Sequence, residues 1–295
     1  MFAYFIAFLN PLTYAASNII DSHISNNVFK NVWVVVFYCT IITLLTLPIL
    51  FLFGIPRIPP THIIPYVVLG AILHIAVLVA YYLSMRNMDT SIVLACFSMG
   101  KIFIPVLAFF MVGEVIRPVQ YAGFGIIILF SVFLSLDDVK VMKVNKGLWL
   151  VLAASITSSI TLVINKKILL ELDWVSNVFW GNILSAFIVM LFLLLKKHRQ
   201  EIFSEAPRFF KRGGMFVGNE MLFQVGVLAE SYALAILPVI VFTAIGSTQA
   251  LFILAYSWAL MFICPKHIKE QLDAKSIIKK VICFVFIVIG VVLAI

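Results

Sequence analysis

GNEMLFQVGVLAESYALAI, residues 218–236, is apolar enough to cross a membrane yet holds two carboxylates, Glu220 and Glu230. An ionised side chain at the centre of a bilayer helix costs about 2.5–3.5 kcal/mol on insertion scales, so a chain that keeps two directs them away from lipid. The stretch therefore predicts a membrane helix with one face turned to a wet interior. At three- and four-residue steps Asn219, Phe223, Gly226, Glu230 and Ala233 form one stripe, with Glu220, Gln224, Val227 and Ser231 beside it. Together they make a single polar sector.

The rest of the chain has the same character. Of 295 residues 63% are hydrophobic and 12% charged, a balance that no soluble core has. Apolar runs of about 18 to 25 residues recur, each long enough to cross the hydrocarbon as a helix, the form that satisfies its own backbone in lipid. Ten spans are expected: Phe2–Ile20, Val32–Phe53, His62–Met85, Thr90–Val112, Val119–Leu136, Leu148–Asn165, Val175–Leu195, Gly214–Leu237, Val239–Cys264 and Ile277–Ile295. The first lacks a basic flank and a small-residue cleavage site, so it reads as a retained helix rather than a signal peptide. The longest connection, KKHRQEIFSEAPRFFKRGG, is too short and too charged to be a domain. Cys39, Cys96, Cys264 and Cys283 fall within or at the edge of spans, as small apolar residues do.

The net charge of +8 does not point to nucleic acid, because the basic residues cluster in the connections. Those after spans 1, 3, 5, 7 and 9 hold 16 lysines and arginines, those on the other side hold four, and Lys101 lies inside a span. By the positive-inside rule this bias puts both termini outside the cytoplasm.

Folding the chain at DDVKVMKVNKG aligns five spans with five, at an offset of about 150 residues. YYLSMRNMDTSIVLACFSMGKIF (81–103) then lies over SYALAILPVIVFTAIGSTQALFI (231–253), each a helix end with a tyrosine, a short connection and a polar-spotted helix. Five is odd, so the halves enter the membrane in opposite directions. The expected fold is an all-α integral membrane protein of ten helices in two inverted five-helix repeats, residues 1–136 and 148–295, joined by the basic connection 137–147.

SIVLACFSMGKIFIPVLAFFMVGEVIRPVQYAGFGIIILFSVFLSL (91–136) resembles the end of the first half in the drug/metabolite transporter superfamily, EamA-like branch. The resemblance lies in a short helix–helix connection, a Pro-containing fourth helix, the pair Gly113–Glu114, and a fifth helix carrying Gly123 and Gly125. It implies ten helices and both termini in the cytoplasm, against the charge count. FICPKHIKEQLDAKSIIKK in the second half has no Gly-Glu, so the pair is not a symmetric gate element.

A site near the midplane draws on the polar-spotted first, third and fourth helix of each half. Ser91, Ala95, Ser98, Lys101 and Pro105 share a stripe with Lys101 mid-span, and His74, Leu78, Tyr81 and Met85 align on span 3. Span 1 adds Asn10, Thr13, Ser17 and Asn18, and span 6 adds Ser155, Thr157, Ser158, Ser159, Thr161 and Asn165. The substrate-binding candidates are Lys101, Glu230, Tyr81, Tyr82, Ser98, Asn219, Gln224, Tyr232, Gln249 and Trp258, and Glu230 and His74 are the proton-coupling candidates. Lys101 would meet a carboxylate, Glu230 a cationic group, and Tyr81, Tyr82, Tyr232 and Trp258 would supply aromatic walls. Plainer roles stand beside these: a structural Lys101–Glu230 ion pair, Glu220 among headgroups, hydroxyls as interhelical bonds, His74 as packing.

The expectation is a secondary-active transporter of a small polar, zwitterionic metabolite, an amino acid or a derivative, working by alternating access. No cofactor or metal is expected, and the partners are a small-molecule solute and membrane lipid, with no nucleic acid. With both repeats in one chain a monomer suffices. A flippase for a lipid-linked headgroup and a broad cation or drug exporter are the alternatives. An enzyme is disfavoured, since H-E-x-x-H, G-x-S-x-G, a P-loop and an intramembrane aspartate pair are all absent. Lysines outnumber arginines 15 to 6, which suits an AT-rich bacterial genome and an inner-membrane location.

Overall fold

The computed structural model describes residues 1–29, 31–87, 93, 96–97, 99–135, 146–263 and 274–294, and none of these lies in a strand. In the first 136 residues α1 is Phe2–Asn27 and α2 is Val32–Ile42, which runs through a 3₁₀ turn into α3, Leu47–Leu50. Next come α4 (Ile64–Asn87), α5 (Ile104–Val112) and α6 (Pro118–Ser135). Beyond the connection lie α7 (Lys146–Leu169), α8 (Trp174–Met190) and α9 (Lys196–Ile236), then α10 (Val239–Gly246), α11 (Gln249–Ile263) and α12 (Ala274–Ala294).

Among the described residues five stretches are long and apolar enough to cross a membrane: Val32–Leu50, Ile64–Arg86, Leu148–Leu169, Trp174–Leu194 and Val239–Tyr256. Lys101–Val112, Pro118–Phe133 and Val281–Ala294 are shorter apolar helices, and the expected spans Phe2–Ile20 and Gly214–Leu237 fall within α1 and α9. Burial is inverted relative to a soluble protein: Asn10, Ser17, Asp21, Thr40, Asn219 and Glu220 are inside, whereas Leu52, Phe110, Leu194 and Val292 are exposed. Only an apolar surrounding makes that distribution favourable. The protein is a multi-pass membrane protein.

Local chemistry explains where helices stop and bend. Pro105 has no N–H for the Lys101 carbonyl four residues earlier, so the helix tightens to a 3₁₀ turn over Lys101–Phe103 and the Ile104 N–H takes that carbonyl instead. Lys101 therefore sits at an irregularity, not on a regular helix face. Gly113 ends α5 with a φ of 68°, a left-handed conformation that glycine adopts without penalty. The next residue, Glu114, then reaches the second half of the chain, where both of its carboxylate oxygens accept from the Val239 N–H, at 2.8 and 3.0 Å. That N–H opens α10. The preceding helix end is held by Lys166, whose Nζ donates to the Leu234 and Leu237 carbonyls at 2.8 Å each. An anion at one helix start and a cation at the other helix end match the two dipoles that meet at Leu237–Pro238. Burial pushes the Glu114 carboxyl above its ordinary range, opposed by Lys166 and the Val239 N–H.

The charged connection 196–213 is not a loop: α9 runs 41 residues through it. Its first turns are amphipathic and dock on the start of α2. Asn31 Nδ2 donates to Glu201 at 2.6 Å, Tyr38 OH donates to the Ile202 carbonyl at 2.9 Å, and Phe209 stacks on Tyr38 with centroids 4.2 Å apart. A tertiary partner thus stabilises a helix whose composition reads as a connection. At the periphery α6 crosses α12, where a Cβ on Gly123 would lie 2.6 Å from the Gly290 carbonyl oxygen.

Candidate functional site

The site is organised by the antiparallel pair α1 and α9. Asn10 Nδ2 donates to Glu230 Oε2 at 3.1 Å and to the Gly226 carbonyl at 3.3 Å, whereas eleven residues along α1 Asp21 accepts from Asn219 Nδ2 at 2.9 Å. The close approach depends on Gly226: a Cβ there would lie 2.5 Å from both Thr13 Oγ1 and the Tyr14 ring. At 1.5 Å rise per residue, the Glu230 and Glu220 levels are about 15 Å apart.

Between α1, α9 and their neighbours lies a cavity of about 290 Å³. Lys101, Glu230, Glu220, Asp21 and His74 all line it. Its walls come from α1, α4, α7, α9 and the segments around Lys101 and Gly246, with Cys39, Thr40 and Thr43 from the α2 arm and Asn182 and Ser185 from α8. The α2 and α8 contributions go beyond the six helices expected to enclose it, while α6 and α12 stay outside.

At one end Glu230 also accepts from Tyr14 OH at 3.4 Å, and Tyr14 stacks on Phe223 with centroids 4.7 Å apart. Lys101 Nζ is 3.4 Å from Ser247 Oγ and is near enough to Glu230 for the two charges to attract. Among the described residues they form no ion pair within 4.0 Å, so each charge faces the cavity. At the other end Asp21 Oδ1 accepts from both Tyr82 OH, at 2.8 Å, and Asn219. Cys39 Sγ is 3.7 Å from the same tyrosine oxygen, and Glu220 follows Asn219 in the chain. Tyr81 OH donates to Asn18 Oδ1 at 3.0 Å between the two ends.

Of the candidates named from sequence, Lys101, Glu230, Tyr81, Tyr82, Gln249 and His74 lie on the cavity wall. Asn219 and Gln224 are buried behind it, Asn219 holding Asp21 and Gln224 accepting from Asn182 Nδ2 at 3.3 Å. Tyr232 is elsewhere, packed edge-on against Phe2 and Trp174. It lies two residues after Glu230, about 200° around the helix, and only its alignment with Tyr82 suggested a place on the wall. Ser98 and the Trp258 side chain lie outside the described residues. Asp21 was missed because the first span was ended at Ile20. The signal was there, since Asn10, Thr13, Ser17 and Asp21 continue one stripe at steps of three and four.

Residues 1–136 match the EamA-like transporter family, which belongs to the drug/metabolite transporter superfamily, and the resemblance carried by residues 91–136 is thereby borne out. The match covers the first half as read from sequence, and it describes what that half is similar to. No curated protein matches the sequence. A solved structure titled only "Crystal structure of protein" is similar over 99% of this chain and 96% of its own, with a TM-score of 0.68 at 13% identity, a likeness of fold alone.

Proposed function

We propose that the protein is a secondary-active transporter of a small zwitterionic metabolite, an amino acid or an amino-acid-derived compound. The observation that carries this reading is the juxtaposition of Lys101 and Glu230 on one buried cavity without direct pairing. A carboxylate at Lys101 and an ammonium at Glu230 each gain a charge-assisted hydrogen bond in a buried site, where such bonds are stronger than at the surface. Tyr14 and Phe223 offer the aromatic surface beside Glu230 that a cationic group favours. A volume of about 290 Å³ suits a small solute better than a lipid headgroup with its chains. Glu230 is the candidate for proton coupling, with His74 on the same wall.

In this reading residues 1–136 and 148–295 are the two inverted five-helix repeats, ten spans in all, that rock about the cavity in the inner membrane of a bacterium, as a monomer. A reporter fused after Ile295 reads the orientation: a cytoplasmic signal follows the family, and an external one follows the basic connections. A flippase would need a basic phosphate site, and three carboxylates against one lysine among the described residues of the cavity wall favour a cationic or zwitterionic cargo instead.

The test is a thermal-shift screen of the detergent-solubilised protein against amino acids, nucleosides, polyamines and sulfonium compounds, followed by solute exchange in liposomes. Ligands of the native state raise its apparent stability. A zwitterion should give the largest shift and should exchange. A shift confined to polyamines, or lipid scrambling without solute exchange, would sink the zwitterion reading.

A further inference from the structure

The Asp21–Glu220 end of the cavity resembles the Glu230 end in having buried carboxylates and differs in lacking a cation. Asp21 and Glu220 are 6% exposed each, and no basic side chain among the described residues acts on either. Two carboxylates in one buried pocket repel and are poorly solvated when both are ionised, so the arrangement is relieved by a retained proton or by a cation that joins them. Three further buried oxygens lie at this end, two on the cavity wall and one on Asn219 just behind it. Ser17 Oγ, one turn before Asp21, and Thr40 Oγ1, next to Cys39, have no hydrogen-bond partner among the described residues, although Ser17 is 1% and Thr40 3% exposed and both line the cavity. Asn219, 2% exposed, spends its Nδ2 on Asp21 and leaves its Oδ1 equally unpartnered. Buried polar atoms are nearly always paired, so three orphan oxygens beside two carboxylates mark a position that a ligand completes.

We propose that Asp21, Glu220, Ser17, Thr40 and Asn219 form a binding site for a small monovalent inorganic cation, of the sodium class, that travels with the solute. The donor set consists of oxygens alone, which selects a hard cation. Among the described residues no three His, Cys, Asp or Glu side chains come together as metal ligands, so neither a transition metal nor a strongly chelated divalent ion is provided for. The site draws on α1, on the α2 arm and on α9, so occupancy of the site ties the three together. The proposal rests on the transport reading and supplies a coupling ion in place of the proton assigned to Glu230, which then serves only to hold the solute.

The test uses the purified full chain in detergent with no solute present, so that failure here and failure of the zwitterion reading are separate results. Sodium replaces choline at constant ionic strength while thermal stability is followed. A saturable rise in the apparent Tm is expected, which Asp21→Asn abolishes. Ser17→Ala and Thr40→Val remove a ligand oxygen without stranding a charge, and each should raise the half-saturating sodium concentration about tenfold, the equivalent of about 1.4 kcal/mol, while leaving the choline Tm unchanged. If Asp21→Asn does not fold, these two variants decide the matter. No sodium-specific shift, an unaltered response in Thr40→Val and Ser17→Ala, or a larger saturable shift with magnesium would each overturn the proposal.

Discussion

The two ends of the α1–α9 pair start from the same ingredients, a buried carboxylate on α9 opposite a polar residue on α1, and arrive at different chemistry. At the Glu230 level the partners are Asn10, Tyr14 and, across the cavity, Lys101. At the Glu220 level they are a second carboxylate, Asp21, and oxygens without hydrogen-bond partners. A carboxylate's neighbours, not its depth, decide what it can hold. A carboxylate beside a lysine can bind a dipolar solute, whereas two carboxyls side by side suit a cation or a shared proton.

The largest effect should come from removing the charges at the Glu230 end. Lys101→Met and Glu230→Gln should each weaken binding of the zwitterion by about ten- to a hundredfold, the range of a hydrogen bond to a charged group, measured by thermal shift or equilibrium binding. The double mutant separates a site from a scaffold. If the two residues were only an ion pair, neutralising both would restore stability and affinity together. Restored stability with affinity still lost is the expected outcome.

Next in size is Gly226→Leu, which should destabilise by about 1–3 kcal/mol because the new side chain collides with Thr13 and Tyr14 at the helix crossing. The same change at Gly125, where nothing lies within 4 Å of a Cβ, should leave the melting temperature within error. Since Gly226 is at the Glu230 level, solute affinity should fall more than the sodium response does. Equal losses would mean that the two ends are not separable.

Glu114 is a further carboxylate with known neighbours, outside the cavity, and it sharpens the comparison through pH. Its folded-state pKa is raised by burial, so the fold takes up a proton here more readily than the unfolded chain does. Its contribution is therefore fully present below the ordinary carboxylate range and declines as pH rises through the raised value. Glu114→Gln should remove that part of the slope of stability against pH, leaving a smaller decline between acid and neutral pH. An unchanged slope would show that Lys166 and the Val239 N–H cancel burial, and an increased decline that they outweigh it.

The smallest expected effect is at Tyr232. Tyr232→Phe keeps the ring between Phe2 and Trp174 and removes only the hydroxyl, so solute affinity and the sodium response should stay within twofold of the wild type, about 0.4 kcal/mol. A loss like that of Glu230→Gln would bring the tyrosine back to the solute path.

Much of this molecule was legible in the sequence, because lipid imposes a composition and a helical period that a chain cannot hide. The membrane class, the helix faces bearing Asn10, His74 and Glu230, and the family resemblance of residues 91–136 all follow from local pattern, whereas the 3₁₀ turn at Lys101 does not. Pattern failed where the deciding partner is far away in the chain. Residues 196–213 read as a charged connection until Asn31 and Tyr38, more than 160 residues earlier, turn out to hold them as helix. Asp21 read as the residue after a span, and its bond from Asn219 crosses 198 positions. Glu114 read as half of a Gly-Glu pair, and its partner is the N–H that opens a helix 125 positions on. Hydropathy and periodicity report which face of a helix avoids lipid. They do not report which other helix that face meets, because a hydrogen bond between distant residues depends on packing geometry that local composition does not encode.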